Sequence, residues 1–296
     1  MVEDIVIDEK YLKEVDERLK MIPLTFDVVL KGVFTKNQDL LKKFLICVLN
    51  LDLDPETTKI HISNTELIKQ NVKEYQKRVD ILVVINEKFT VDIEANRSPF
   101  KRVKRRNTMY LDKVNTLILE VGNKTIKVND KFVYQLNLNA VDKEYDEPDD
   151  IVGLCSLKTN KIYQDNKFII LKYLVYYREI YYNKYIENTE EEIWLAALTA
   201  ENFTELNEIL SHILTDEERC RFIRSAIEMS ELEFNLVEWE AEKLNQMVID
   251  DTIDEVREKG IKETIINMLK KDIPIITISE VTGKTVEEIE ALKEQI

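Results

Sequence analysis

Two carboxylates on neighbouring predicted strands have the residue types and the spacing that best suit metal binding or catalysis. Residues 79–86 and 89–95 are short runs rich in valine and isoleucine, and the segment Asn86-Glu87-Lys88 between them predicts a β-hairpin. Asp80 lies near the start of the first run and Glu94 near the end of the second. If the loop has three residues, Asp80 falls directly opposite Glu94, whereas a two-residue loop would put the two carboxylates on opposite faces of the sheet.

Two opposed carboxylates in a hairpin predict a metal site. Directly opposed residues on adjacent strands have Cβ atoms about 4.5–5.5 Å apart, so two negative charges there are destabilising unless a cation lies between them. Carboxylate oxygens are the ligands that Mg²⁺ prefers, with Mn²⁺ and Ca²⁺ as alternatives. We therefore expect Asp80 and Glu94 to bind a divalent ion suited to phosphodiester hydrolysis. The alternative interpretation is a carboxylate pair at a sheet edge that forms ion pairs with the following helix.

The residues after Glu94 predict a basic helix. Ser98-Pro99 is typical of a helix start, and the helical pattern continues to about residue 120. Residues 96–106 contain no acid, and their basic residues are Arg97, Lys101, Arg102, Lys104, Arg105 and Arg106. Since Arg102, Arg106 and Tyr110 are spaced four apart on one helix face, we expect this basic stripe to hold a DNA phosphate backbone beside the carboxylates. A solvated helix face is the alternative.

The elements around these residues predict an α/β fold followed by helices. Amphipathic patterns predict helices over residues 8–21, 24–34 and 38–50. After the basic helix, alternating and apolar runs predict strands near residues 132–138, 151–157 and 168–175. The later patterns are helical, over residues 189–199, 201–212, 216–230, 232–247 and 250–271, with a small helix-turn-helix unit over 275–293. We expect a domain over residues 1–185 and an acidic helical region over residues 186–296.

Composition excludes several other classes of protein. The 5 glycines are too scattered for a phosphate-binding loop, and the 2 histidines have no nucleophile motif nearby that would form a catalytic triad. The 3 cysteines form no CxxC pair, so we expect neither a disulfide framework nor a zinc cluster. No apolar run approaches the length of about 18 residues that spans a membrane, and the first residues lack a signal-peptide charge pattern. We expect a cytoplasmic protein with no membrane partner.

The net charge of −15 is concentrated in one part of the chain. Residues 187–259 contain 21 acids and 6 bases, whereas the rest of the chain is balanced, with 36 acids and 36 bases. Exposed charges separated by more than about 8 Å are largely screened at physiological salt, so the acidic region does not prevent the basic stripe from binding phosphate. The long acidic helices suit self-association, and we expect homo-oligomers formed through the C-terminal helices.

The order of motifs resembles a known nuclease superfamily. A helix with FDVVLKGVF is followed by a strand with RVDILV, a hairpin to VDIEAN, the tripeptide RSP and a helix with Arg106 and Tyr110. This order resembles the PD-(D/E)XK nucleases, and within them the branch of recombination-promoting nucleases and transposase-like proteins. The match covers residues 23–115 and, more loosely, the later strands and the C-terminal GIKETIINML and TGKTVEEIEALK. The resemblance implies a restriction-endonuclease-like mixed sheet flanked by helices, followed by an all-helical C-terminal region.

The resemblance also implies roles for individual residues. Asp80 and Glu94 correspond to the metal-binding carboxylates, and Asp27 on the N-terminal helix corresponds to the supporting acid. Glu94-Ala95-Asn96 corresponds to the family's Glu-x-Gln, so Asn96 would orient the attacking water, although its side chain is one methylene shorter than glutamine. The arginine and tyrosine that follow the family's glutamate correspond to Arg106 and Tyr110.

We therefore expect a Mg²⁺-dependent DNA endonuclease, linked through the resemblance to recombination or mobile elements. Its expected catalytic residues are Asp80, Glu94, Asn96 and Asp27. Its expected nucleic-acid contacts are Lys101, Arg102, Arg105, Arg106 and Tyr110. The alternatives are a degenerate nuclease fold that binds nucleic acid or a protein partner without cleavage, and an interaction protein whose helical region drives assembly or inhibits another factor.

Overall fold

The computed structural model of this protein divides the chain into two compact units. The first unit runs from Met1 to Val237 and the second from Glu238 to Ile296. The structure describes residues 7–63, 81–97, 100–121, 124–128, 131–140, 147–183, 187–232, 262, 264–271 and 273–293.

A six-stranded mixed sheet forms the centre of the first unit. Its strands are β1 (Ile60–Ser63), β2 (Ile81–Ile85), β3 (Phe89–Asn96), β6 (Phe132–Asn139), β7 (Asp149–Gly153) and β8 (Lys167–Tyr173), in the order β1-β2-β3-β6-β8-β7. The central pairs β3–β6 and β6–β8 are parallel, and the outer pairs are antiparallel. Strands β4 (Ile118–Val121) and β5 (Lys124–Lys127) form a separate antiparallel hairpin.

Helices cover both faces of this sheet. The helices of the first unit are α1 (Glu9–Arg18), α2 (Asp27–Lys36), α3 (Gln38–Val48), α4 (Phe100–Asn115), α5 (Leu174–Asn183), α6 (Glu190–Ala197), α7 (Phe203–Leu210) and α8 (residues 216–232). One face of the sheet packs against α1–α3 and α6–α8 in the main hydrophobic core. On the other face, a smaller core joins β2 and β6 to α4 and the β4–β5 hairpin. The predicted fold class, a mixed sheet flanked by helices, is confirmed.

The acidic helices after residue 187 belong to the main core of the first unit. Trp194 of α6 packs against Phe44 of α3 with ring centroids 5.8 Å apart, and Phe222 of α8 packs against Phe34 of α2 at 5.7 Å. The carboxylate of Asp16 in α1 accepts hydrogen bonds from the first backbone N–H groups of α7. The predicted boundary at residue 185 therefore falls within the first unit, which extends to Val237.

The apolar face of α8 is already used within the chain. Phe222, Ile223 and Ala226 are fully buried in the main core. A homo-oligomer formed through α8 would have to use its outer face, where Leu232 is exposed. The predicted helix over residues 232–247 lies outside the described residues apart from residue 232, and the predicted helix over residues 250–271 is described only at residues 262 and 264–271. Self-association through the C-terminal helices therefore stays a prediction.

Several predicted elements end earlier than their patterns suggested. The basic helix ends at Asn115, and residues 118–121 and 124–127 form the paired strands β4 and β5. The strand expected over residues 168–175 ends at Tyr173, where α5 begins. The helix start predicted at Ser98-Pro99 lies outside the described residues, and α4 is described from Phe100 onward.

The second unit contains a small helical core. The buried residues Ile265, Ile278 and Ile289 pack together, the last two on α9 (Ile275–Thr282) and α10 (Val286–Lys293). Gly283 ends α9 with a φ of 69°, and Thr285 and Glu288 exchange side-chain to backbone hydrogen bonds at the start of α10. The predicted helix-turn-helix pattern is confirmed. Within the described part of the chain, no helix combines the length and apolar character needed to cross a membrane.

Candidate active site

The β2–β3 hairpin has the register on which the predicted carboxylate pair depends. Ile85 pairs with Phe89 and Ile81 pairs with Ile93, so Asn86-Glu87-Lys88 is a three-residue loop. Asn86 and Glu87 have φ values of 49° and 55°, and the backbone N–H of Lys88 donates to the carbonyl oxygen of Ile85 at 3.0 Å. This is the register that the pairing of Asp80 with Glu94 requires. Asp80 itself lies outside the described residues.

The two faces of β3 separate as strand alternation predicts. Phe89, Val91, Ile93 and Ala95 lie in the main hydrophobic core. The other face carries Thr90, Asp92, Glu94 and Asn96, and each of these side chains is 0–2% exposed. Because β3 lies between β2 and β6, Glu94 is in the middle of the sheet. The alternative of a carboxylate pair that forms ion pairs with the following helix is not tested, since Asp80 lies outside the described residues.

Strand β6 adds a row of amides beside the acids of β3. The parallel register places Gln135, Asn137 and Asn139 next to Asp92, Glu94 and Asn96, respectively. All three β6 side chains are buried. Together with the four polar residues of β3 they form a polar layer, whose members are Thr90, Asp92, Glu94, Asn96, Gln135, Asn137 and Asn139.

Hydrogen bonds inside the polar layer orient its side chains. The amide nitrogen Nδ2 of Asn96 donates to Oδ1 of Asn137 at 2.9 Å and to Oδ1 of Asn139 at 3.2 Å. The Nε2 group of Gln135 donates to Oδ2 of Asp92 at 3.0 Å. These bonds hold Asn96 and Asp92 against β6, on the same face of the sheet as Glu94.

Sequence reasoning missed the contribution of β6 to the site. It identified the alternating apolar residues Phe132, Tyr134, Leu136 and Leu138, and the signal for the amides was the other half of that alternation. Local sequence patterns did not predict that β6 pairs with β3, because paired parallel strands are separated by a long connection in the sequence.

The polar layer has oxygen atoms suited to a hard divalent ion. It contains two buried carboxylates, on Asp92 and Glu94, and the amide oxygens of β6. Among the described residues, Oγ1 of Thr90 and Oε1 of Gln135 have no hydrogen-bond partner, although buried polar atoms are normally paired with protein, water or an ion. No group of three or more acidic, histidine or cysteine side chains suited to a metal occurs within the described ranges. Mg²⁺ needs only one or two carboxylates with waters, so these residues fit it.

Asp27, the predicted supporting acid, lies at the start of α2 and is exposed. The guanidinium of Arg97, which directly follows β3, stacks over the ring of Phe26 at 3.5 Å from the centroid. This contact brings the start of α2 to the carboxyl end of β3, the same end that carries Glu94 and Asn96. The start of α2 therefore lies at the end of β3 where Arg97 follows it, and the supporting role of Asp27 stays a prediction.

Helix α4 crosses the face of the sheet that carries the polar layer. Its Leu111 and Val114 pack against Val84 and Val133, the two residues paired with Thr90 on its two neighbouring strands. The second half of α4 therefore lies over the amino end of β3. Since α4 follows β3 in the chain, its first turns lie towards the carboxyl end, beyond the buried Asn107.

The residues of the predicted basic stripe lie on α4, except Arg97, which precedes it. Lys101, Arg102, Arg105 and Arg106 occupy its first two turns, and their side chains lie outside what the structure describes. Tyr110 is half-buried and packs against the smaller hydrophobic core. The helix N-terminus carries a partial positive charge that adds to the charges of these residues. The fold thus brings a positive helix end towards buried carboxylates.

Comparison with known proteins identifies a family for most of the chain. A family model described as PD-(D/E)XK nuclease family transposase matches residues 24–254. This range begins just before α2 and contains the whole sheet, the polar layer and α4. No curated protein matches the chain, and no solved structure matches it.

Proposed function

This chain belongs to the PD-(D/E)XK nuclease family transposases, and from that premise we propose that it is a metal-dependent DNA endonuclease. The observation that carries the proposal is the buried polar layer. Burying several polar side chains on the central strands of a sheet is costly unless they serve each other or a ligand. Here they lie on the face crossed by α4, whose first turns hold the basic stripe.

Asp80 and Glu94 are the proposed ligands of the metal. A register that pairs Ile81 with Ile93 predicts that Asp80 is opposite Glu94, so the two carboxylates would face one ion. Mg²⁺ is the proposed ion, with Mn²⁺ and Ca²⁺ as alternatives. When bound, such an ion would neutralise charge that develops on the phosphate and lower the pKa of a bound water.

The remaining predicted residues have supporting roles in this proposal. Asn96, held by Asn137 and Asn139, would orient the attacking water next to Glu94. Asp27 would support the site from the start of α2.

The basic stripe supports DNA as the substrate. Lys101, Arg102, Arg105 and Arg106, with Tyr110 beside them, would hold the DNA backbone along α4. Contacts of this kind read phosphates and not bases, so they position the substrate without selecting a sequence. We propose that the enzyme acts in the cytoplasm, and that its cleavage serves recombination or mobile elements, as the family description suggests.

Plasmid cleavage tests this proposal. Supercoiled DNA is incubated with the protein in Mg²⁺, Mn²⁺ or EDTA, using the wild type, Asp80→Asn and Glu94→Gln. We expect nicking only with metal, and at least a ~100-fold slower rate in both variants, because each loses a charge that binds the ion. Glu87→Gln is the matched control, since Glu87 is an exposed acid in the loop of the same hairpin and pairs with Lys124.

Two outcomes would count against the enzyme. Equal nicking by the wild type and both carboxylate variants would indicate a contaminating nuclease. Salt-dependent DNA binding without nicking in any metal would favour the alternative of a nuclease fold that binds without cleavage. Arg102→Ala and Arg106→Ala address the substrate separately, because each lost phosphate contact should reduce the slope of log affinity against log salt by about 1.

A further inference from the structure

A cavity of about 710 Å³ opens where three helices of the first unit meet. Helix α6 packs against both α5 and α7, and the cavity is lined by the end of α5, the start of α6 and the end of α7. Its volume is within the range of small-molecule sites, about 300–1,000 Å³. These helices contribute to the main hydrophobic core, on the face of the sheet opposite to the polar layer. The cavity is therefore separate from the candidate active site.

The lining of this cavity carries unpaired negative charge. Glu187, Glu190 and Glu208 line it, and all three are exposed. Within the described part of the chain, none of the three forms an ion pair. Burial and the charges of Glu208 and Glu205 raise the pKa of Tyr181, which also lines the cavity. Since like charges repel one another, this lining favours a cationic occupant.

Aromatic rings form another part of the cavity wall. Tyr181 contacts Tyr182 and His212, with ring centroids 5.1 Å and 6.3 Å apart. The guanidinium of Arg178 lies 5.4 Å from the centroid of the Tyr182 ring, so this ring already binds one cation of the chain itself. Tyr182 is nevertheless 54% exposed. The faces of tyrosine rings attract cations, so the rings and the carboxylates favour the same kind of ligand.

The ends of two helices add to the negative potential. Helix α5 ends at Asn183 and α7 ends at Leu210, both beside the cavity. The C-terminus of a helix carries a partial negative charge. Helix α6 begins at the cavity, and the partial positive charge of its N-terminus is offset by the acids of its first turn, Glu190, Glu191 and Glu192.

The arrangement of the acids suits an extended organic cation better than a metal ion. Within the described ranges, no three acidic, histidine or cysteine side chains form a group that could hold a metal ion. The carboxylates of Glu187, Glu190 and Glu208 are therefore spread around the cavity. Ile193 and Ile213 give the same lining an apolar part. A methylene chain with several ammonium groups matches this lining, because its charges can meet separate carboxylates while the methylene groups pack against apolar surface.

Asn188 supplies an unsatisfied hydrogen-bond acceptor in the same lining. Its Nδ2 group donates to the carbonyl oxygen of Tyr181 at 3.4 Å, which leaves Oδ1 as the other end of the amide. This Oδ1 atom is buried and has no hydrogen-bond partner among the described residues. Buried polar atoms are normally paired, and a ligand that donates N–H groups would supply the missing partner.

We propose that this cavity binds an aliphatic polyamine. The carboxylates of Glu187, Glu190 and Glu208 pair with its ammonium groups. The rings of Tyr181 and Tyr182 contact the same groups through their faces. Because the cavity and the polar layer lie on opposite faces of the sheet, this binding does not depend on nuclease activity.

Isothermal titration calorimetry of the full chain with spermidine, at physiological salt, tests the proposal. We expect saturable binding of one spermidine per chain. In the triple variant Glu187→Gln, Glu190→Gln and Glu208→Gln, we expect at least a ~10-fold higher Kd, since the loss of each exposed ion pair raises the Kd roughly 2–5-fold. All three residues are exposed, so circular dichroism should show an unchanged fold.

A second triple variant is the matched control for net charge. It combines Asp52→Asn, Glu56→Gln and Glu217→Gln, which are exposed acids outside the cavity. The two triple variants lose the same charge, so a cavity site requires that the control bind spermidine as the wild type does. Equal losses of affinity in the two variants would overturn the proposal, because binding would then follow net charge alone.

Two substitutions of Tyr182 test the aromatic wall. Tyr182→Leu removes the ring and should raise the Kd of spermidine roughly 2–5-fold. Tyr182→Phe keeps the ring and removes only the hydroxyl, which donates to Glu205, so its Kd should be unchanged. Equal Kd values for the wild type and Tyr182→Leu would contradict a contact with this ring.

An acetylated arginine tripeptide, which has the same charge as spermidine, distinguishes a free polyamine from a basic protein segment. Weaker binding of the tripeptide supports the polyamine. Tighter binding of the tripeptide, or no saturable binding of spermidine, would overturn the proposal.

Discussion

Removing the amide of Asn137 is a sharp test of the polar layer. The Oδ1 atom of Asn137 accepts a hydrogen bond from Nδ2 of Asn96 at 2.9 Å, and the second acceptor, Oδ1 of Asn139, is further away at 3.2 Å. Asn137 is fully buried and lies next to Glu94 in the parallel register. Asn137→Ala therefore removes the shorter of these two hydrogen bonds from Asn96 to β6.

Two separate effects follow from this substitution. A buried amide that loses a hydrogen-bond partner costs about 1–3 kcal/mol, and since Asn139 still accepts from Asn96, we expect a loss of about 1–2 kcal/mol in the free energy of unfolding. If Asn96 orients the attacking water, its freed side chain should also slow cleavage. A misorientation that raises the barrier by about 1.4 kcal/mol corresponds to a roughly 10-fold lower rate.

Asn37→Ala is the matched control. Asn37 is 1% exposed, and its Nδ2 also donates two hydrogen bonds, to the carbonyl oxygen of Val33 at 2.8 Å and to Oγ of Ser225 at 2.9 Å. It lies between α2 and α8 in the main core, away from the polar layer. We expect a similar loss of stability and an unchanged rate of cleavage.

Urea unfolding measures the free energy of unfolding of each variant. Plasmid nicking in saturating Mg²⁺ measures the rate of cleavage, at a temperature well below the thermal unfolding midpoints of both variants. Equal losses of rate in Asn137→Ala and Asn37→Ala would show that activity follows stability alone. Such a result would refute the positioning of Asn96 by Asn137. An unchanged free energy of unfolding in Asn137→Ala would show that the hydrogen bond between the two amides contributes nothing.

Three further predictions follow from the helical core and its edges. A Cβ on Gly32 would lie 2.4 Å from the Sδ of Met229, at the flexible end of that side chain. Gly32→Ala should therefore change the free energy of unfolding by less than about 1 kcal/mol, since the displacement of Met229 offsets the gain in helix propensity; a loss of about 3 kcal/mol in urea, the upper range for overpacking, would contradict this. Burial raises the pKa of Asp149, but its hydrogen bond and ion pair with Lys172 at 2.9 Å outweigh burial and lower it. The stability that Lys172 contributes is therefore complete above the unfolded pKa of about 3.9 and is lost as the pH falls through the lower folded pKa. The deficit of Lys172→Met in urea unfolding should shrink at acid pH, and a deficit that is constant from pH 7 to pH 3 would contradict the argument. Burial and the nearby carboxylates of α6 raise the pKa of the Cys47 thiol to about 12, so iodoacetamide at pH 8 should label it far more slowly in the native than in the denatured chain, as peptide mass spectrometry would measure.

Some features of the site were determined by short stretches of sequence. Apolar and polar residues alternate over residues 89–96, and the apolar ones are those that β3 places in the main core. Asn86-Glu87-Lys88 predicted the hairpin, which is confirmed, and of the two loop lengths that the sequence left open the structure has the three-residue loop. The helix-turn-helix pattern over residues 275–293 predicted the last two helices. These features depend on neighbours within a few residues, so the local sequence is enough to specify them.

Other features were decided by contacts between distant parts of the chain. The parallel pairing of β3 with β6 brings Asn137 beside Glu94, although 43 residues separate the two in the sequence. The acidic helices beyond residue 187 pack into the first unit because Trp194 and Phe222 complete its core. An amphipathic pattern predicts that a helix or strand has an apolar face, and only packing decides which surface covers that face. The sequence by itself thus determined which residue types β3 presents, and the tertiary structure decided that they lie in the buried centre of a sheet, beside a second row of amides.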